Sequence, residues 1–155
     1  MTTVRRLLAV LALAVAVAIV AAVPAGAQTS TRCTAFAVLT PGNEVPPVDS
    51  RATGATLVHI NGTRLSFTTV IANPARETFT VGHIHVGPAG DTGPVLVTLF
   101  SGPPTDRRLF TQFESKTIPA ADATAICGNL AGHYVNYHTA AFPGGAIRGQ
   151  LTRLF

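Results

Sequence analysis

Three histidines are the residues of this chain whose type and spacing could support chemistry. His83 and His85 lie two residues apart in the segment VGHIHVGPAGDTGPVLVTLF, and His138 follows about fifty residues later in the segment YVNYH. Because alternate side chains of a strand share one face of a sheet, both imidazoles of the first pair point the same way. Neutral imidazole nitrogen binds copper and zinc. The spacing predicts a copper or zinc site at His83, His85 and His138, provided that their strands meet.

The same histidines also have a purely structural interpretation, which the residues by themselves favour. In that interpretation His83 and His85 hydrogen-bond backbone carbonyls of the following glycine- and proline-rich loop, and His138 holds the turn at residues 142–145. Asn136 lies on the same strand face as His138 and could orient a metal ligand from behind it. Both interpretations stay open at the level of the sequence.

Other polar residues near these segments have two interpretations as well. Arg148 is predicted to be buried against Asp91 or Glu44 as a structural ion pair, and the alternative is that it steers an anion to the histidines. His133 and Tyr134 add polar groups near the predicted site. Because they are adjacent in one strand, they cannot both face it.

The patterns of the common enzyme classes are missing from the sequence. Its seven acidic residues are scattered, with no close pair for acid–base catalysis. No serine lies in a nucleophile elbow, and the loop at residues 87–93 lacks the lysine and the following helix of a phosphate-binding loop. No run of basic residues indicates a nucleic-acid partner. The sequence predicts a non-enzymatic protein whose only candidate cofactor is copper or zinc.

The first 27 residues have the layout of a secretory signal peptide. Arg5 and Arg6 precede an uncharged apolar run at residues 7–23, and small residues in an A-x-A arrangement end at Ala27. Cleavage before Gln28 would leave one domain, residues 28–155, and would lower the formal charge from +4 to about +2. The alternative is an uncleaved membrane anchor. We expect a secreted or extracytoplasmic protein, in the periplasm or cell envelope, without a membrane span after cleavage.

The two cysteines, Cys33 and Cys127, are predicted to form a disulfide. An even number of cysteines in an exported protein usually forms disulfides. A C-x-x-C motif, which would indicate redox chemistry or a thiolate zinc site, is absent from the sequence.

The elements that must position these residues are mostly strands. Asn61-Gly62 between two alternating runs predicts a β-hairpin, and apolar residues at helical spacing predict one helix over 119–130, ended by Gly132. About eight short strands are predicted, at residues 33–39, 54–60, 63–71, 79–86, 94–100, 109–116, 132–139 and 145–154. This pattern predicts an all-β fold, an antiparallel β-sandwich or Greek-key barrel with one short helix.

Three groups of motifs resemble the CHRD domain, a module named from chordin. They are Leu39-Thr40 with NEVPP at 43–47, HIH at 83–85 with GPAG at 87–90 and GPV at 93–95, and G-x-YVNYHT at 132–139 with FPGGAIRGQL at 142–151. The resemblance covers about residues 33–151. Ala146 stands where the family usually has an acidic residue.

The resemblance to the CHRD family implies an exported β-sandwich module and no established reaction. The H-x-H strand is also similar to one in copper-zinc superoxide dismutase, although likeness of fold does not imply likeness of function. We therefore expect a binding or structural module whose partner is an unknown protein or an envelope component. The alternative function is copper or zinc binding by the three histidines, with a superoxide-dismutase-like activity the most distant alternative.

Overall fold

The computed structural model describes residues 31–154 as two antiparallel sheets packed face to face. The predicted signal peptide, residues 1–27, lies outside the described residues. The strands are β1 Arg32–Leu39, β2 Thr53–Asn61, β3 Arg64–Ala72, β4 Phe79–Val86, β5 Val95–Phe100, β6 Leu109–Thr117, β7 His133–Thr139, β8 Ile147–Gln150 and β9 Thr152–Arg153. One sheet has the order β6-β3-β2-β1-β9 and the other the order β5-β4-β7-β8. The predicted all-β sandwich is confirmed, and its two sheets are separate.

Period-two alternation accounts for the core of this sandwich. In β3 the residues Leu65, Phe67, Thr69 and Ile71 are buried, whereas the residues between them are half-buried or exposed. The predicted Asn61-Gly62 turn joins β2 to β3, and Gly62 has a φ of 60°, a conformation that glycine adopts without strain. The hairpin register therefore follows the local sequence.

The end of the chain differs from the prediction. Residues 145–154, predicted as one strand, form β8 in the four-stranded sheet and then β9 in the other sheet, with buried Leu151 between them. The backbone N–H of Leu151 donates to His133 O, and Thr152 pairs with Phe36 of β1. The chain changes sheets here, and the residue pattern of this segment does not reveal which strand each part pairs with.

The single α-helix among residues 31–154, α1, spans Ala120–Gly128 and is shorter than predicted. Asn129 leaves the helical conformation, and its side chain accepts a hydrogen bond from Gly132 N at 3.1 Å, which closes a short 3₁₀ turn over Leu130–Gly132. Asn and Asp often compete with the helix in this way. Within the described residues no helix has the length and apolarity that a membrane crossing requires.

A disulfide between Cys33 and Cys127 fastens α1 to β1, as predicted. The two Cα atoms lie 5.5 Å apart, inside the range for an unstrained pairing. The bridge joins residues 94 positions apart. It contributes at most about 4–5 kcal/mol when its effect is treated as a loss of entropy in the unfolded chain.

Candidate metal centre

The candidate site lies on the outer face of the four-stranded sheet. In the register of β4 and β7, His83 lies opposite Asn136 and His85 opposite Tyr134. Arg148 of β8 lies opposite Asn136 on its other side. Because directly paired residues share a face, these polar side chains form one continuous row.

Three loops cover this face and bury its side chains. The turn at residues 41–43 contacts β8 through Asn43 Nδ2, which donates to Arg148 O at 3.1 Å. The loop at 87–94 and the turn at 142–145 contact the same row through backbone carbonyls. Every residue of β7 is buried. Its inward side chains pack against the other sheet, and its outward side chains lie under these loops. The alternation of side chains along each strand determines which residues form this polar row, and the loops bury them from solvent.

The three predicted histidines converge. Their ligand nitrogens all lie within 4.8 Å of one another, and His83 Nδ1 is 3.3 Å from His138 Nε2. The ring centroid of His85 lies 5.4 Å from that of His83 and 5.9 Å from that of His138. His85 and His138 are buried and His83 is half-buried. The residues at 83, 85 and 138 therefore form one cluster, although they come from two strands.

The structural contacts of two histidines fix their tautomers. His85 Nδ1 lies 2.9 Å from Gly93 O, and His138 Nδ1 lies 3.0 Å from Pro143 O. A carbonyl only accepts hydrogen bonds, so each Nδ1 carries the proton, and each Nε2 keeps a lone pair. The structural interpretation is thus confirmed for these two residues, while His83 makes no hydrogen bond to a loop carbonyl. Because the anchors use Nδ1, Nε2 of His85 has no partner among the described residues, and Nε2 of His138 accepts a hydrogen bond from His83 Nδ1 at 3.3 Å, a bond that a metal would replace.

All three imidazoles are held in the neutral form. Burial, together with smaller effects of the neighbouring His138 and His85, lowers the pKa of His83 from 6.5 to about 4. Burial also lowers the pKa values of His85 and His138, against the opposing effect of their carbonyl hydrogen bonds. Neutral imidazole is the form that binds metal.

Three buried acceptor atoms on this face have no hydrogen-bond partner among the described residues: His85 Nε2, Asn136 Oδ1 and Glu44 Oε1. Asn136 Nδ2 donates to Glu44 Oε2 across 3.5 Å. Burial raises the pKa of Glu44 to about 7, against the opposing effects of Arg148 and Asn136. Buried acceptors without donors are unfavourable. Each of these three atoms could therefore bind a cation or accept a hydrogen bond that the neighbouring side chains do not supply.

Tyr134 links the cluster to Arg148. Its ring is stacked on His85 at 4.8 Å between centroids and 7° between planes, and the guanidinium carbon of Arg148 lies 3.8 Å from its centroid. The predicted ion pair of Arg148 is wrong: Arg148 donates to the backbone carbonyl of Asp91 at 2.9 Å, and neither Asp91 nor Glu44 lies within ion-pair distance of it. The cation–π contact with Tyr134 takes the place of an ionic partner.

Two other histidines do not belong to the cluster. His133 is buried, but it projects from the other face of β7 and its Nδ1 contacts Asn129 O at 2.8 Å. His59 is exposed on the five-stranded sheet, beside Thr34. The expected phase difference between His133 and Tyr134 is confirmed, and Tyr134 is the member of that pair at the site.

Sequence reasoning missed the burial of Glu44. It named this residue only as a possible partner of Arg148, yet Glu44 is buried in the row beside Asn136. The proline-rich segment around it indicated an ordered loop, and Pro41 begins the turn that carries it inward. No local signal identifies the sheet face on which such a loop folds.

Comparison with known proteins bears on the whole fold. A family model described as the CHRD domain matches residues 35–151, from β1 to the residue after β8. Neither the curated proteins nor the solved structures include a significant match. The family match spans most of the chain, and the protein therefore belongs to the CHRD domain family.

Proposed function

We propose that this protein binds one Cu(II) or Zn(II) ion through His83, His85 and His138. The observation that carries the proposal is the buried lone pair of His85 Nε2, which has no partner among the described residues and lies in a cluster of three neutral imidazoles. A divalent ion would satisfy that nitrogen. A cluster built only to hold loops would need no such convergence of nitrogens.

The spacing of the nitrogens supports a small tetrahedral ion. Two nitrogens bound to zinc at 2.0–2.1 Å in tetrahedral geometry are about 3.3 Å apart, and His83 Nδ1 lies 3.3 Å from His138 Nε2. The whole set spans up to 4.8 Å, so binding needs a movement of about 1 Å, estimated from the same bond lengths. His83 is half-buried and has no backbone anchor, so its ring is the one free to move.

A site with these three ligands would leave one coordination position open. Three protein ligands leave one position open for water, and the unpaired Oδ1 of Asn136 lies on the same face, where it could accept a hydrogen bond from such a water. Imidazole ligands suit both metals, and the general affinity order places copper above zinc. We expect the tighter complex with Cu(II).

Titration calorimetry with each metal, in the presence of a weak competing chelator, tests the proposal. We expect one site per chain, and we expect His83→Ala, His85→Ala and His138→Ala each to lower the affinity at least 100-fold. His59→Ala and His133→Ala are the matched controls, and they should bind as the wild type does. Electron paramagnetic resonance of the Cu(II) form should show nitrogen ligation.

Binding that all five alanine variants weaken equally would indicate scattered surface histidines and would contradict the proposal. The absence of a saturable site at micromolar metal would contradict it as well. Circular dichroism of each variant separates loss of a ligand from loss of the fold.

We also propose that the chain is exported and that residues 1–27 are a cleaved signal peptide. The disulfide supports an oxidising compartment, and membership of the CHRD family supports a binding or structural module. The partner would be a protein or a component of the cell envelope. Intact mass of the protein recovered outside the cytoplasm is the test: a chain that starts at Gln28 supports cleavage, and one that retains residues 1–27 contradicts it.

A further inference from the structure

Arg148 is a buried cation that no carboxylate of the described residues meets within ion-pair distance, and Glu44 interacts with it only from farther away. Its residue is 2% exposed, and its guanidinium makes one hydrogen bond among the described residues, to the backbone carbonyl of Asp91. The ion pairs within residues 31–154 are Arg76 with Asp106 and Lys116 with Glu114, both distant in the fold from Arg148. A guanidinium has five N–H donors, so most of its hydrogen-bonding capacity is unused.

Arg148 is one of the residues that line a cavity of about 300 Å³. The residues that line it include Gly42 and Asn43 of the first turn, Glu44, Ala89 and Gly90 of the second loop, and Arg148. Its volume is at the small end of the range for ligand pockets, and it has room for a small ligand such as acetate or phosphate. Tyr134 lies between Arg148 and the histidines, since its ring contacts both His85 and the Arg148 guanidinium.

We propose that this cavity binds a small oxyanion, a carboxylate or an inorganic phosphate, on the guanidinium of Arg148. A buried charge is unfavourable unless it is paired. The planar guanidinium presents parallel N–H groups that match the two oxygens of a carboxylate or phosphate. The site needs no metal, and it therefore goes beyond the proposed metal binding.

Glu44 is the residue that we expect to limit the affinity of this cavity for an anion. Its carboxyl lines the same cavity but lies beyond ion-pair distance of Arg148, and Asn136 holds it from the other side. A carboxylate in the cavity repels an incoming anion. Glu44→Gln should therefore raise anion affinity several-fold while it preserves an oxygen for Asn136. A lower anion affinity of Glu44→Gln would contradict this repulsive role of Glu44.

The test uses inorganic phosphate and sodium acetate as probes, at constant ionic strength and with a chelator that removes all metal. Amide resonances in two-dimensional NMR report binding, and we expect saturable shifts confined to the loops at residues 42–45 and 89–91. Arg148→Gln should weaken binding at least tenfold. The two probes separate the phosphate and carboxylate chemistries by their relative affinities.

A second pair of variants keeps the test decisive if Arg148→Gln does not fold. A Cβ on Gly42 would meet no atom within 4 Å, so this position accepts a side chain at the rim of the cavity. Gly42→Asp should weaken phosphate binding at least tenfold more than Gly42→Asn, since the two side chains have nearly the same size and only Asp carries a negative charge. Equal affinities for these two variants, or shifts that do not saturate, would overturn the proposal. Because metal is excluded throughout, a failure here leaves the metal proposal to its own test.

Discussion

The two outer faces of the sandwich have the same strand geometry and opposite environments. On the four-stranded sheet, the outward row of β7 is buried under three loops and consists of Tyr134, Asn136 and His138. On the five-stranded sheet, the outward side chains of β2, β3 and β6 face solvent, and Phe113 is 75% exposed. The alternation of side chains along the strands produces both outward rows. Within residues 31–154, loops cover only the row on the four-stranded sheet.

The difference between the two faces explains why only some of the histidines are candidate metal ligands. His59 stands on the open face with a threonine beside it, whereas His83 and His85 stand on the covered face with carbonyls, a tyrosine and a third histidine around them. Burial lowers the pKa values of the covered pair. A histidine in a strand becomes a candidate ligand here because loops close over it.

Removal of the disulfide should have the largest effect on stability and should leave the covered face intact. A double variant, Cys33→Ala with Cys127→Ala, is expected to lose up to about 4–5 kcal/mol of unfolding free energy. The bridge joins α1 to β1 and touches neither the histidines nor their loops. Chemical denaturation measures the loss. Loss of metal stoichiometry in the still-folded variant would mean that the two regions are not independent.

A methyl group at Gly145 should disturb the covered face more than one at Gly62 disturbs the open sheet. Gly145 has a φ of 140°, and a Cβ there would lie 2.5 Å from Glu44 Oε2 and 2.6 Å from Asn136 Nδ2. Strain and overpacking together predict a loss of about 2–4 kcal/mol for Gly145→Ala. At Gly62 a Cβ meets nothing within 4 Å, so Gly62→Ala should lose about 1 kcal/mol from its positive φ alone. Equal losses in thermal unfolding would contradict the view that loop cover distinguishes the two faces.

The pH dependence of stability should report the buried carboxyl of the covered face. The folded pKa of Glu44, about 7, lies above its ordinary value of 4.5, so the folded chain binds more protons than the unfolded chain between these values. For this group, stability is greatest at low pH and falls as the pH rises through 7. Glu44→Gln, which keeps the contact with Asn136 and leaves Arg148 in place, should be more stable than the wild type at pH 8.

That advantage of Glu44→Gln should disappear at pH 5, where Glu44 is protonated in the folded protein. The covered histidines have lowered pKa values and act in the opposite direction, destabilising the fold as the pH falls below 6.5. They are present in both proteins, so the difference between the two isolates Glu44. A difference that does not change with pH would show that Glu44 is ionised throughout.

The open face should show the smallest effect. Phe113→Ser removes the most exposed aromatic ring among the residues that the structure describes, and we expect a change in unfolding free energy within about 0.5 kcal/mol. Phe110, on the same strand and packed against the core, is the matched comparison, and Phe110→Ser should destabilise the protein far more. A large loss for Phe113→Ser would mean that the open face is not open in solution.

Local patterns by themselves determined most of the strands, the first hairpin and which residues of a strand share a face. Asn61-Gly62 determined the first hairpin, and the spacing of His83 and His85 determined that their rings share a face. The count of two cysteines predicted the pairing of Cys33 with Cys127, because each has a single possible partner in the chain. Each of these depends on neighbours in sequence or on chemistry with a single partner, so no tertiary information was needed.

The tertiary structure decided which strands are neighbours and which face is covered. It brought His138 beside His83, divided residues 145–154 between two sheets, and folded the loop with Glu44 over Asn136 and Arg148. Arg148 lost its predicted ionic partner for the same reason, because the loop that carries Asp91 presents its carbonyl and not its carboxylate. Most of these outcomes depend on contacts between residues more than 50 positions apart, whose free energies are set by the packing of the whole sandwich. No periodicity within a single strand contains that information.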